Sequence, residues 1–161
     1  MNLRFPSHIS LSEKNRSQLV DVLNAQLANA LDLWSQLKQA HWNLRGRFFI
    51  SRHELFDALA EHLQQHADDL AERASALGGY AQGTVRLAAH NSTLEEHDLG
   101  AVNGQAHVQS LVARYAAHSA SLRIAIGTSQ TMGDPASEDL LSGQLREVEK
   151  DMWFLESHLA D

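Results

Sequence analysis

From Ser10 to about Leu44, apolar side chains return every three or four residues, at Leu19, Val22, Leu23, Leu27, Ala30, Leu31, Trp34 and Leu37. That is the period of one face of an α-helix, whereas a half-buried strand would alternate at every second residue. The same rhythm returns in three later stretches, and the chain shows no strand alternation, internal repeat or low-complexity tract. A chain written this way is confined to long amphipathic helices that bury their apolar stripes against one another.

The punctuation between the stretches sets their order. Ser10 and Glu13 have capping-box spacing for the first helix, and Gly46 ends it. Ser51 and Glu54 repeat the box for a second helix over residues 51–78, whose apolar face is Leu55, Phe56, Leu59, Leu63, Ala67 and Leu70 and whose stop is Gly78-Gly79. Between Tyr80 and Asn103, the cap Thr93-Leu94-Glu95-Glu96 predicts one short helix. A third long helix is expected from about Gly104 to Gly127, and Asp134-Pro135 starts a fourth that ends near Leu159. Short, long and short connections predict an all-α four-helix bundle of the ferritin-like kind, in which the middle link crosses over and carries the short extra helix; an up-down bundle with a loose middle link is the alternative. With 161 residues and 43% hydrophobic content the chain fits a single domain over residues 1–161, residues 1–10 being expected as a flexible tail. There is no apolar run near the ~20 residues that span a bilayer, and Met1 to Ser12 has no signal-peptide core. Both point to a cytoplasmic protein.

The absence of cysteine leaves His and carboxylates as the only strong metal donors, a set that suits iron, manganese or zinc better than copper(I). On the second helix, His53/Asp57 and Asp68/Glu72 are each spaced i, i+4, so each pair is adjacent on one face. Asp57 and Asp68 are 11 residues apart, about three turns or ~16 Å, so one metal cannot touch both pairs. Two copies of the helix lying antiparallel across a two-fold axis near His62 and Leu63 would bring His53/Asp57 of one chain to Asp68/Glu72 of the other, forming two equivalent sites. His41 supports this arrangement, because the short connection through Gly46 returns the end of the first helix to His53. Glu54 and Glu61 share the sector, making a five-carboxylate stripe with no Lys or Arg of its own. A solvated helix face is the plain reading of such a stripe; against it, like charges four apart cost a few tenths of a kcal/mol per pair, which bound cations would reverse. No glutamate is followed three residues later by histidine, which argues against a Glu-x-x-His di-iron site inside one bundle. His62 and His66 border the apolar face and are read as packed histidines.

The run Lys38-Gln39-Ala40-His41-Trp42-Asn43-Leu44-Arg45-Gly46, then Phe49 and His53-Glu54-Leu55-Phe56-Asp57, then Asp68-Asp69-Leu70-Ala71-Glu72-Arg73 with Leu77-Gly78-Gly79, resembles the Dps mini-ferritins, the DNA-protecting proteins of starved cells. The tail Trp153-Phe154-Leu155-Glu156 resembles the family's last helix. The resemblance implies a hollow homododecamer with di-iron ferroxidase centres at two-fold interfaces, where His41, His53 and Asp57 come from one subunit and Asp68 and Glu72 from its mate. It also implies oxidation of Fe(II), with hydrogen peroxide preferred over dioxygen, storage of the ferric mineral and protection against oxidative stress. Trp42 would stand beside the centre and absorb a stray oxidising equivalent, or simply pack at the interface. Glu54 and Glu61 lie outside the family's ligand set and are expected to face the cavity as additional metal-binding carboxylates. Asp139 is a candidate for a negatively charged pore.

A second function class, a DNA-binding protein that compacts the nucleoid, fits the family and not the charge. The net charge is −7, from 13 Lys and Arg against 20 Asp and Glu. Residues 1–16 offer only Arg4, Lys14 and Arg16, and the chain ends on Ala160-Asp161. Phosphate backbones are held by clustered basic residues, so no stable DNA complex is expected near neutral pH. A third class, a helical oligomer without metal, leaves the complete ligand set unexplained.

Overall fold

A computed structural model describes residues 3–159. Five helices follow in order: α1 (Glu13–Asn43), α2 (Phe49–Ala76), α3 (Val85–Asn91), α4 (Gly104–Thr131) and α5 (Pro135–Ser157). No helix among the described residues is long and apolar enough to cross a membrane.

The elements match the apolar rhythm, while several boundaries differ for local reasons. The first helix is capped by Ser12, not Ser10; the Ser12 hydroxyl accepts the Asn15 N–H. Ser51 does not cap α2, because the helix already begins at Phe49 and the Ser51 hydroxyl donates to the Phe48 carbonyl at 3.1 Å. The short crossover helix starts at Thr84, whose hydroxyl accepts the Leu87 N–H, and not at Thr93. Thr93 is taken up instead by Asn29 of α1, whose Oδ1 accepts the Thr93 N–H at 2.9 Å. The last helix closes at Ser157, two residues before the expected Leu159. The expected N-terminal tail is fastened from Leu3 onward: Leu3 pairs antiparallel with Gly79, the Arg4 and Phe5 N–H groups donate to the Gly78 carbonyl, and Ser7 Oγ donates to the Ala76 carbonyl. Gly78 makes this possible, with φ of +87° and a position where a Cβ would lie 2.6 Å from the Phe5 carbonyl oxygen. The first two residues of that tail lie outside the described residues.

Each of α2 and α4 packs against α1 and α5, which places α2 and α4 on opposite corners of the bundle. The side-chain bonds give the directions. Asn15 meets the Met132 carbonyl and Gln26 meets Ser121, so α1 and α4 are antiparallel; Arg52 meets the His158 carbonyl and Arg73 meets Asp134, so α2 and α5 are antiparallel too. The connection 77–103 therefore crosses the bundle, as in ferritin-like folds, and the up-down alternative is excluded. Asn24 and Asn29 hold that connection down: the Asn24 amide donates to the Tyr80 carbonyl and accepts the Gln82 N–H, and Asn29 binds both the N–H and the hydroxyl of Thr93. Leu19, Leu23, Phe56, Leu63, Leu70, Leu111, Tyr115 and Leu141 fill the core with no exposed surface.

Candidate metal centre

The last turn of α1 and the first turns of α2 lie side by side because the connection between them is short and turns at Gly46, whose φ is +116°. His41 and His53 consequently stack, with ring centroids 3.6 Å apart. They are also bonded reciprocally: His41 Nδ1 lies 3.0 Å from the His53 carbonyl, and His53 Nδ1 lies 3.1 Å from the His41 carbonyl. A carbonyl oxygen can only accept, so in each ring Nδ1 carries a proton and Nε2 is the nitrogen left without a backbone partner. This is how metal-ligating histidines are held, with one nitrogen fixed by a backbone acceptor and the other free to coordinate. Phe49 packs on His53 at 5.0 Å and completes the support.

Asp57 joins the pair, its Oδ1 lying 4.0 Å from His41 Nδ1. The same oxygen accepts a short hydrogen bond from Lys38 of α1. That bond holds the Asp57 carboxyl below the usual carboxylate range, with the Lys38 charge and the two histidines adding to it. The acidic stripe of α2 is therefore not free of cations, because a neighbouring helix supplies one. Lys38 stands in the run that carries the family resemblance, yet its role depends on a contact between helices that α2's own residues do not encode.

The structure brings His41, His53 and Asp57 together at one end of α2 and leaves Asp68 and Glu72 exposed some three turns further along the same helix. Asp68 and Glu61 line an open groove of about 580 Å³ that Leu27, Leu31 and Gly83 complete. Glu54 is exposed near the other group, and Trp42 is 61% exposed beside His41. Asp139 is exposed near the start of α5. His41, His53 and Asp57 lie close without forming a cluster that could hold a metal ion by themselves, and no other three His, Asp or Glu side chains of this chain do so among the described residues.

His62 and His66 do more than pack. His62 Nδ1 lies 3.0 Å from Asp151 Oδ2, and His66 Nε2 lies 2.8 Å from Glu147 Oε2, so an i, i+4 pair on α2 meets an i, i+4 pair on α5. Glu147 and Asp151 were not singled out by sequence reasoning. Their spacing, equal to that of His62 and His66, is the signal that would have found them. Burial raises the pKa of Asp151, with His62 opposing it, and burial lowers that of His66, with Glu147 opposing it. Next to this layer, His118 is fully buried with neither ring nitrogen hydrogen-bonded, and burial lowers its pKa to about 3.

Residues 20–161 match the ferritin-like domain family. The DNA protection during starvation protein of Agrobacterium fabrum is 35% identical over 151 residues, covering 94% of this chain and 93% of the relative. The crystal structure of a Dps homologue from the archaeon Halobacterium salinarum superposes with a TM-score of 0.93 at 29% identity, covering 99% of this chain and 89% of the other. A Dps protein of Vibrio cholerae, described as a ferritin-like diiron-carboxylate protein, superposes with a TM-score of 0.89 at 26% identity over 99% of each chain.

Proposed function

Because the chain belongs to the ferritin-like family and, within it, to the Dps proteins, we propose that it is an iron-oxidising and iron-storing mini-ferritin, a homododecameric cage with ferroxidase centres shared across its two-fold interfaces. The observation that carries this reading is the reciprocal bonding of His41 and His53, which occupies Nδ1 of both rings and leaves Nε2 as the nitrogen open to a metal. Two imidazole nitrogens and the Asp57 carboxylate make a donor set suited to Fe(II). Asp68 and Glu72 of a second subunit, approaching antiparallel, supply the remaining carboxylates and the charge that ferric iron demands.

In this reading Fe(II) is the substrate and hydrogen peroxide the oxidant, with dioxygen as the slower alternative. Two Fe(II) give one electron each to one peroxide. The O–O bond breaks, two protons are taken up and two waters leave, so no hydroxyl radical is released. Holding the two irons together is what allows both electrons to pass in one encounter. Trp42, exposed next to His41, would take up a stray oxidising equivalent or pack at the interface. Glu54 and Glu61 would receive the ferric product on the same helix face, and Asp139 would draw Fe(II) toward a pore by its field.

Complementation tests the shared centre. His53→Ala and Glu72→Ala cages should each lose fast Fe(II) oxidation. Cages reassembled from an equal mixture should recover activity at about a quarter of the sites, since half the two-fold pairs are mixed and each keeps one intact site of two. A mixture as inactive as its parents would show that the two residues act within one chain.

A further inference from the structure

On the solvent side of the α1–α2 connection, Arg45, Arg47 and Arg52 line a pocket of about 290 Å³ with Phe48, Gly104 and His158. Thirteen basic residues face twenty acidic ones in this chain, yet three of them gather here and no carboxylate lines the pocket among the described residues. Their hydrogen bonds go to neutral acceptors. Arg45 Nη1 donates to the Leu44 and Trp42 carbonyls at 2.7 and 3.3 Å, and the Arg47 and Arg52 guanidinium groups each lie 5.3 Å from the Phe48 ring centroid. Arg52 is only 9% exposed, its Nε has no partner, and its Nη2 makes one long bond of 3.4 Å to the His158 carbonyl. A guanidinium withdrawn from water without a counter-charge is costly, and an anion beside it removes the cost.

The same pocket holds the start of α4. The first N–H groups of a helix have no partner within it and give that end a partial positive charge. The Asn103 side chain takes only the N–H of Ala106, and its carbonyl only that of His107. Gly104 lets the arginine reach this end, because a Cβ there would lie 2.4 Å from Arg52 Nη1. Three guanidinium groups, one of them buried and lacking a carboxylate partner, thus meet the N-terminus of a 28-residue helix in one concave space.

We propose that this pocket is a binding site for a phosphate-class oxyanion, with free inorganic phosphate as the occupant. Planar guanidinium forks match the oxygens of a tetrahedral anion, and backbone N–H groups at a helix start complete its coordination. The pocket is concave and small, and the chain around it carries a net charge of −7, which repels the long phosphate backbone of a duplex while leaving a single small anion free to enter.

The test uses the assembled, metal-free protein at neutral pH and low ionic strength, titrated with inorganic phosphate and read by calorimetry and 31P line broadening. Saturable binding of one phosphate per chain is expected. Arg52→Gln and Gly104→Ala should each weaken it by about tenfold or more, the worth of a charge-assisted bond, and Arg86→Gln, on exposed α3, should leave it unchanged. If Arg52→Gln fails to assemble, exposed Arg47→Gln takes its place. No phosphate binding by the wild type, or equal binding by the wild type and the variants, would overturn the site. A parallel gel shift with duplex DNA separates the two sources of phosphate: retardation that depends on Arg52, without binding of free phosphate, would replace the proposal with a nucleic-acid surface.

Discussion

Lys38 puts a positive charge where the proposed centre would receive a metal. Its ammonium is bonded to Asp57, so an Fe(II) bound at the proposed centre would have to displace it. The sign of the pH dependence follows from the depressed Asp57 pKa: the pair is present above the ordinary carboxylate range and is lost only as pH falls below it, so the competition is constant between pH 5 and 8. Asp57 is half exposed, and an exposed ion pair is worth at most about 1 kcal/mol. Lys38→Met should therefore tighten Fe(II) binding by about two- to fivefold, measured by anaerobic calorimetry. Unchanged affinity would show that the ammonium does not compete.

At the scale of elements, the crossover connection is the part that local propensity specifies least, and buried amides of α1 hold it in place. Asn29 is 1% exposed and bonds the N–H and hydroxyl of Thr93, the hydroxyl of Ser92 and that of Ser121. Asn29→Ala removes all of these bonds at once, each worth about 0.5–1.5 kcal/mol, although the Ser92 and Ser121 hydroxyls keep Asp32 and Gln26 as partners. The variant is expected to unfold about 2–4 kcal/mol more easily in urea while the proposed Fe(II) oxidation is kept per folded protein, because His41 and His53 lie beyond the segment it anchors. A loss no larger than that of an exposed Asn→Ala change would assign the connection's hold to its apolar contacts instead.

For the whole molecule, buried neutral histidines set acid stability. Burial lowers the pKa values of His66, His97, His107 and His118, the last to about 3. The unfolded chain takes up protons at these positions below about pH 6.5 and the folded one does not, so stability is full above pH 6.5 and falls as pH drops toward the folded values, by up to about 1.4 kcal/mol per pH unit for each histidine. Asp151, whose pKa burial raises, offsets part of this loss toward pH 4. His118→Leu should unfold in urea with a smaller difference between pH 7 and pH 5 than the wild type, and an equal difference would remove His118 from the account. Charge at this scale also governs DNA. With 13 basic residues against 20 acids, the protein should give no retarded duplex in a gel shift at pH 8 and physiological salt; a retarded band there would show that folding or assembly concentrates basic residues on one face.

The helices and their apolar faces were legible in the chain because a 3.6-residue rhythm is a local property, written at Leu19, Leu23 and Leu27 as plainly as at Leu59, Leu63 and Leu70. The nearness of His41 and His53 was legible too, since a short turn at Gly46 leaves the chain little choice. Caps were less so. Ser10, Ser51 and Thr93 each had suitable spacing, but Ser12 and Thr84 took two of the roles, and Thr93 went to Asn29, a residue 64 positions away. Contacts between distant segments decided the rest. Lys38 reaches Asp57, His62 and His66 find Asp151 and Glu147, and Arg52 lies against Gly104, in each case because helix packing joins residues that no local rule pairs. The sequence alone determined which side chains are the candidates for the proposed chemistry, because composition and spacing are written along the chain. Only the tertiary structure decided which charge each one meets, because that depends on the distance between helices.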